Sequence, residues 1–170
     1  LVAHYFRELG LPFEIGVGVT GVKAHLKGRK DGPRVALLGE LDAVTCFEHP
    51  KADPMTGAAH ACGHNAQLAA MIGAAMGLVG AGAAQLLGGD VVFFAVPAEE
   101  YVEISYRERL RKDGLIRYLG GKSELIWRGA FDDVDMALMI HAYSGDKVGL
   151  AESYNGCITK LIRYVGRASH

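Results

Sequence analysis

The chain has 170 residues, of which 50% are apolar and 22% are charged. This length suits one ordinary domain, and this composition is typical of a well-packed globular protein, which excludes the disordered and fibrous classes. Eighteen basic and 19 acidic side chains give a net charge of −1, so charge offers no argument for a nucleic acid or an anionic membrane as partner. We expect neither partner, and the function must be inferred from a site.

Two features favour the cytoplasm. Three cysteines, an odd number at irregular spacing, fit a reducing compartment better than a disulfide framework. The first residues show no apolar leader segment, and the weakly polar run from Leu68 to Leu87 contains interior glycines. This run predicts a buried helix followed by a loop rather than a membrane span.

The first elements along the chain are a short helix and a strand pair. Helical periodicity from His4 to Leu9 ends at Gly10, which is typical of a helix carboxyl terminus. The segment from Phe13 to Leu26 predicts two antiparallel strands around a turn at Thr20-Gly21.

Three apolar runs of strand length follow, at Arg34 to Gly39, Asp90 to Val96 and Val134 to Ile140. An Ala-rich helix separates the first two, and a charged helical stretch from Tyr106 to Tyr118 separates the last two. Continuous apolar runs indicate strands buried on both faces, and parallel neighbours need long connections of this kind. We therefore predict an α/β fold with a mostly parallel sheet flanked by helices.

Each apolar run ends in polar side chains. The first leads into Glu40 and Asp42, the second into Glu99 and Glu100, and the third into His141. In an open parallel sheet, ligands bind outside the carboxyl ends of the strands. We expect these side chains to converge in one crevice.

A Cys-x-His triplet lies between the first run and the Ala-rich helix, within the segment His60 to Asn65. Thiolate and imidazole are good zinc ligands, and in extended chain the side chains of Cys62 and His64 point to the same side. Asn65 is expected to cap the following helix. By itself, the triplet also fits a buried thiol beside a hydrogen-bonded imidazole.

The neighbouring residues also have simpler interpretations, since two adjacent glutamates suit a solvated loop and His141 suits a buried core position. A single metal site would explain all of them at once. Cys62, His64, Glu100 and His141 are ligands that Zn, Mn, Co or Ni accept, which leaves Glu99 as a free carboxylate. A metal lowers the pKa of bound water to about 7, and an adjacent carboxylate can take its proton. The sequence thus predicts a metal-dependent hydrolase.

Three segments together resemble a known family: Gly39 to Ala43, His60 to Asn65 and Val96 to Glu100. In this order they are similar to the zinc-type aminoacylase and carboxypeptidase amidohydrolases, in particular the branch of hippurate hydrolase, indoleacetyl-amino-acid hydrolases and aminobenzoyl-glutamate hydrolase. The resemblance covers about residues 13–170. It implies hydrolysis of the amide bond of an N-acyl amino acid or small peptide-like substrate.

The resemblance also implies a role for each matching metal ligand. Cys62 would bridge two divalent metal ions, where the wider family uses an aspartate. His64 and His141 would bind one ion, and Glu100 would bind the other.

The catalytic roles implied by the resemblance fall on three further residues. Glu99 would be the general base, and Asp42 would orient the metal ligands. His170 matches a family histidine that stabilises the developing oxyanion, often across the dimer.

The resemblance further implies that the chain is an amino-terminal fragment. Residues 1–155 would form part of a catalytic metal-binding domain, and residues 156–170 would begin a lid and dimerisation domain whose remainder is absent. The full-length protein is expected to be a homodimer. The alternative is a non-catalytic metal-binding or interaction module, or an inactive fragment, on the same scaffold. A thiol-redox role for Cys62 is disfavoured because no Cys-x-x-Cys pair is present.

The connection 101–130 is longer and more charged than is typical of this family. A charge run of this kind usually marks a solvated helix face. It could otherwise contact a substrate carboxylate or a partner, or narrow the crevice.

Overall fold

The computed structural model describes residues 1–146, 148–151, 156, 158, 160, 162 and 164–167. The predicted domain boundary after residue 155 and the predicted catalytic residue His170 lie outside the described residues. The helices are α1 (Val2–Glu8), α2 (His64–Gly80), α3 (Ile104–Lys112) and α4 (Gly121–Trp127), with a short 3-10 turn at Ala83–Gln85. The strands are β1 (Phe13–Val17), β2 (Gly21–Leu26), β3 (Arg34–Glu40), β4 (Val44–Thr45), β5 (Ala58–Ala59), β6 (Asp90–Val96) and β7 (Met136–Met139).

The main sheet has five strands in the order β1-β2-β6-β3-β7, and β4 with β5 forms a separate hairpin. Strands β6, β3 and β7 are parallel neighbours, whereas β2 pairs antiparallel with both β1 and β6. The prediction of an α/β sheet flanked by helices is confirmed, with the difference that the amino-terminal hairpin makes the sheet mixed. The parallel part brings the carboxyl ends of β3, β6 and β7 to one edge.

Strand β6 lies at the centre of the core, and its residues from Val92 to Val96 are fully buried. On one face, Phe93 packs against Phe6 of α1, with ring centroids 6.1 Å apart, and belongs to the same cluster as Met71 of α2. On the other face, Phe94 packs against Phe131 at 5.1 Å. Side chains of α1 and α2 on one face, and of α4 and the turn after it on the other, therefore enclose this strand behind the residues that follow it.

The third apolar run differs from its prediction as a strand buried on both faces. Strand β7 is the last strand of the sheet, and all four of its residues are exposed, Leu138 at 59%. A continuous apolar run does not distinguish a central strand from an edge strand, because the neighbour that covers the edge is not encoded locally.

The helices also differ from their predictions in three ways. Helix α2 buries only one face, with Gln67, Met71 and Ala75 at helical spacing, so it is not buried throughout. Its N-cap is Gly63 rather than the predicted Asn65. The charged stretch predicted as helical from Tyr106 to Tyr118 is helical only as far as Lys112, where α3 ends, and the next helix, α4, begins beyond it at Gly121.

Within the described part of the chain, no helix has the length and apolar character needed to cross a membrane.

Candidate metal centre

The polar residues at the carboxyl ends of β3 and β6 converge on His64, as the topology predicts. The His64 Nε2 atom lies 3.0 Å from Glu40 Oε2 and 3.9 Å from carboxylate oxygens of both Glu99 and Glu100. His64 itself is 1% exposed. A single imidazole therefore lies among three carboxylates that come from two different strands.

His64 owes its orientation to the start of α2 and to Asp42. Gly63 adopts φ of +96°, a left-handed conformation that favours glycine, so the helix begins at His64 itself. The His64 Nδ1 atom lies 3.0 Å from the Asp42 carbonyl oxygen, which can only accept a hydrogen bond. Nδ1 therefore donates to this carbonyl, which leaves Nε2, on the side of the carboxylates, as the ring atom that can bind a metal when it is unprotonated.

Cys62 and His141 complete a second side of this cluster. The Cys62 Sγ and His141 Nε2 atoms are 3.5 Å apart, and ligand atoms of Cys62, His64 and His141 all lie within 4.8 Å of one another. His141 is exposed rather than buried, so the interpretation of this residue as a satisfied core histidine is wrong. The structure thus brings three of the four predicted ligands together.

Glu40 is a member of the cluster that sequence reasoning missed as a ligand. Ligand atoms of Glu40, His64 and Glu99 also lie within 4.8 Å of one another, and Glu40 is 1% exposed. Glu40 is the last residue of β3, and its backbone N–H donates to Gln67 Oε1 at 3.0 Å. Its position at a buried strand end could have drawn attention to it, since a buried carboxylate needs compensation.

Three buried polar atoms in this cluster have no hydrogen-bond partner among the described residues: Glu40 Oε2, Asp42 Oδ1 and His64 Nε2. Buried polar atoms are normally hydrogen-bonded, and Glu40 Oε2 and His64 Nε2 lie only 3.0 Å apart, so the group needs either a shared proton or a bound cation. With Nε2 unprotonated, all three atoms are lone-pair donors, and they lie beside a thiol and a second imidazole. The donor set fits a divalent cation of the zinc group.

Asp42 connects two parts of the centre. Its Oδ2 atom accepts a hydrogen bond from the Glu100 backbone N–H at 2.7 Å, and its Oδ1 atom lies 3.4 Å from His64 Nδ1. The carboxylate thereby fixes the loop after β6 relative to the start of α2. This geometry suits the orienting role that the resemblance implies for it.

The loop that carries Glu99 and Glu100 has an unusual backbone. Ala98 adopts φ of +55°, although it is not glycine. Such conformations carry a cost and often occur at functional sites. The turn at Ala98 directs the two glutamates that follow it towards His64.

The protonation of two side chains reflects the excess of acid. The pKa of the Cys62 thiol is raised to about 11. The largest cause is the hydrogen bond that the thiol donates to the Glu100 carboxylate, followed by burial and the nearby acids. Burial, followed by the charges of Glu40 and Glu100, raises the pKa of Glu99. Both shifts indicate a site in which negative charge lacks compensation.

Comparison with known proteins identifies relatives over most of the chain. The chain is 33% identical over 162 residues to Thermostable carboxypeptidase 2 of Saccharolobus solfataricus, covering 93% of the chain and 37% of that protein. It is 44% identical over 84 residues to the N-acetylcysteine deacetylase of Bacillus subtilis, covering 48% of the chain and 22% of that protein. Its fold matches the Bacillus subtilis YXEP protein, a dinuclear metal-binding peptidase from the M20 family, with a TM-score of 0.61 and 28% identity. The chain belongs to the M20 family.

The match to the M20 structure covers 80% of this chain and 34% of the YXEP protein. The chain thus spans about a third of the length of these relatives. No family profile matches it. Membership of the M20 family agrees with the family named from the three sequence segments, and a metal-binding relative agrees with the candidate ligand groups around His64.

Proposed function

We propose that this chain carries the metal-binding part of an enzyme that hydrolyses the amide bond of N-acyl amino acids or small peptides. The observation that carries the proposal is the group of unsatisfied acceptors around His64, beside Cys62 and His141. Relatives named as a carboxypeptidase and as a deacetylase of an N-acetylated amino acid support this substrate class. Both activities break an amide bond next to an amino acid.

The proposed ligands are Cys62, His64, Glu100 and His141, and they would hold two divalent ions, Zn, Mn, Co or Ni. Soft thiolate and imidazole together with a carboxylate match the preferences of these ions. Bound metal would supply Lewis-acid chemistry, polarising a carbonyl group and making a water molecule more acidic. Glu40, which shares a group with His64 and Glu99, is an additional candidate ligand.

Glu99 is the proposed general base. Its side chain is 39% exposed, so it can reach an incoming substrate, and its nearest oxygen lies 3.9 Å from His64 Nε2. Burial and neighbouring acids raise its pKa in the metal-free site, and a positioned carboxylate of this kind can accept and return a proton. Glu99 would take a proton from water during attack and pass it to the leaving amine.

Asp42 and His170 complete the proposed machinery. Asp42 would hold His64 and the Glu100 loop in place through the bonds that it makes to both. The role of His170 in stabilising the oxyanion rests on the family resemblance. The same resemblance supports a homodimer for the full-length protein, and the three irregularly spaced cysteines support a location in the cytoplasm.

The test of this function uses the full-length protein and the Glu99→Gln variant, which removes only the charge of the base. We expect the variant to retain its divalent metal, measured by elemental analysis. Its turnover of N-acyl amino acids and dipeptides should fall by about 10²–10⁴-fold, the usual contribution of general acid–base catalysis.

Wild-type turnover in Glu99→Gln would refute the assigned base. Metal binding without hydrolysis of any N-acyl amino acid or dipeptide would instead favour a non-catalytic metal-binding module. The Glu108→Gln variant, which alters an acid of α3 that pairs with Arg111, serves as the matched control.

A further inference from the structure

The segment between β6 and β7 brings cations to the acids of the metal centre. Although its charge run predicts a solvated face, Arg107 of α3 is only 7% exposed, and its Nη2 atom lies 3.8 Å from Asp42 Oδ2. Lys122 of α4 donates a hydrogen bond from Nζ to Glu40 Oε1. Glu40 at the end of β3 and Asp42 just after it therefore each face a cation from this segment.

The position of Lys122 is fixed by the backbone next to it. The Gly121 backbone N–H donates to the Ala98 carbonyl at 2.8 Å, and Arg107 Nη1 approaches the same oxygen at 3.5 Å. A Cβ atom at Gly121 would overlap the Pro97 carbonyl oxygen, so a glycine is needed for α4 to begin here. Lys122 thus extends from a helix that is anchored on the loop before Glu99.

Glu40 needs a counter-charge at this position. It is 1% exposed, and the neighbouring carboxylates of Glu99 and Glu100 add negative charge. A buried carboxylate without a partner is strongly disfavoured. Lys122, at 33% exposure, engages one oxygen of Glu40, while the other oxygen stays unsatisfied and 3.0 Å from His64 Nε2.

We propose that Lys122 is a positioning residue that holds Glu40 as a paired carboxylate and thereby limits the negative charge available to a metal ion at this centre. The inference rests on the proposed function, because it assumes that a divalent ion binds beside His64. The ammonium group and the ion then compete for Glu40. Lys122 sets the metal affinity of the centre without being a ligand.

The first test measures Zn²⁺ affinity by competition with a chelator. Lys122→Met should bind Zn²⁺ at least about tenfold more tightly than the wild type, since a positive charge a few ångströms from the ion is removed. Lys122→Arg retains the charge and should stay close to the wild type. Lys112→Met, which removes an exposed cation of α3, is the matched control and should also leave the affinity unchanged. Unchanged or weaker binding in folded Lys122→Met would overturn the inference.

The second test needs no metal and separates this inference from the proposed function. In metal-free protein, Lys122→Met should lower the urea midpoint of unfolding, because Glu40 is left buried and unpaired. Adding Glu40→Gln to Lys122→Met should recover more than about half of that shift, which a purely steric role of Lys122 would not produce. If the wild type binds no divalent metal, the proposed function fails together with the claim about metal affinity, whereas this coupling still decides whether Lys122 compensates the charge of Glu40. Additive effects of the two changes would contradict it.

Discussion

The two ends of the central sheet both carry buried acids, but they satisfy them differently. At the amino ends of β3 and β6, both oxygens of Asp90 are engaged, one by the Gly28 N–H at 3.0 Å and the other by Lys27 and Arg34. At the carboxyl ends, Glu40 and Asp42 each keep one buried oxygen without a hydrogen-bond partner among the described residues.

The same contrast extends to the loop before β7. One oxygen of Asp133 accepts from Lys23 at 2.5 Å, and the other accepts from Arg34 at 2.8 Å. Arg34 also donates its backbone N–H to Asp135 at 2.7 Å. At this end, each acid is matched by a donor that the fold itself provides. The comparison indicates that one end serves stability and the other end keeps acceptors free for a ligand.

The largest effect should come from breaking the matched end. Lys23 is 4% exposed and depends on Asp133 for its counter-charge. Asp133→Ala leaves this ammonium group buried and unpaired, for which we expect a loss of about 3–5 kcal/mol in the free energy of unfolding. Urea denaturation measures the loss, and adding Lys23→Met should restore much of it, because an apolar pair replaces the ion pair.

Two controls test whether the contrast between the ends is real. Asp31→Ala removes a fully exposed partner of Lys27 and should cause no measurable loss. Glu99→Gln removes one of several mutually repelling acids at the other end and should not destabilise the metal-free chain. A loss in Glu99→Gln as large as that in Asp133→Ala would remove the distinction.

A moderate effect should come from supplying the missing cation. At a free Zn²⁺ concentration of about 100 times the dissociation constant, binding should add about 2.7 kcal/mol to the free energy of unfolding. At a fixed Zn²⁺ concentration, the gain should increase from pH 6 to pH 8, because Zn²⁺ must displace the thiol proton of Cys62, whose pKa is raised to about 11. Thermal denaturation with and without Zn²⁺ at both pH values measures it.

Matched cysteine variants locate this effect. Cys62→Ser should lose most of the Zn²⁺-induced stabilisation. Cys46→Ser, which changes the residue after β4 and outside both candidate ligand groups, should retain it. Equal stabilisation of both variants would place the ion elsewhere.

The sequence was sufficient to predict most of the framework and the gathering of the ligands. Apolar runs and their polar ends predict β3, β6 and the crevice. The apolar pattern is a local property of the sequence, and the parallel pairing follows from the right-handed crossovers that connect such strands. The exposed edge at β7 could not be predicted, since the burial of a strand depends on its neighbours. The burial of Glu40 could not be predicted for the same reason. Its partner, Lys122, lies 82 positions away in the chain.

The charged segment shows the limit of composition as a guide. Arg107 and its neighbour Arg109 carry the same charge on the same helix, yet Arg107 is buried and Arg109 is exposed. A count of charges treats them alike. Only the path of the chain after Glu100, which brings α3 and α4 back to Ala98, separates a structural cation from a solvated one.

The smallest effect should be a dependence of the free energy of unfolding on pH, with opposite signs at the two ends of the sheet. A hydrogen bond from the Gly28 N–H lowers the pKa of Asp90, and Lys23 lowers that of Asp133, although burial acts against both shifts. These carboxylates stabilise the fold above their unfolded pKa of about 3.9, and this contribution is lost as the pH falls through their lower folded values. Glu99 acts in the opposite sense, because its raised pKa means that protonation relieves a penalty as the pH falls.

The two contributions partly cancel in the wild type, so variants are needed to separate them. Urea denaturation between pH 7 and pH 3 measures the stability. In Asp90→Asn, the loss of stability as the pH falls should be smaller than in the wild type. In Glu99→Gln, this loss should be larger than in the wild type, because the stabilisation from protonating Glu99 disappears. If both substitutions changed the pH profile in the same direction, the acids at the two ends of the sheet would be equivalent, and the unsatisfied oxygens near His64 would need a different explanation.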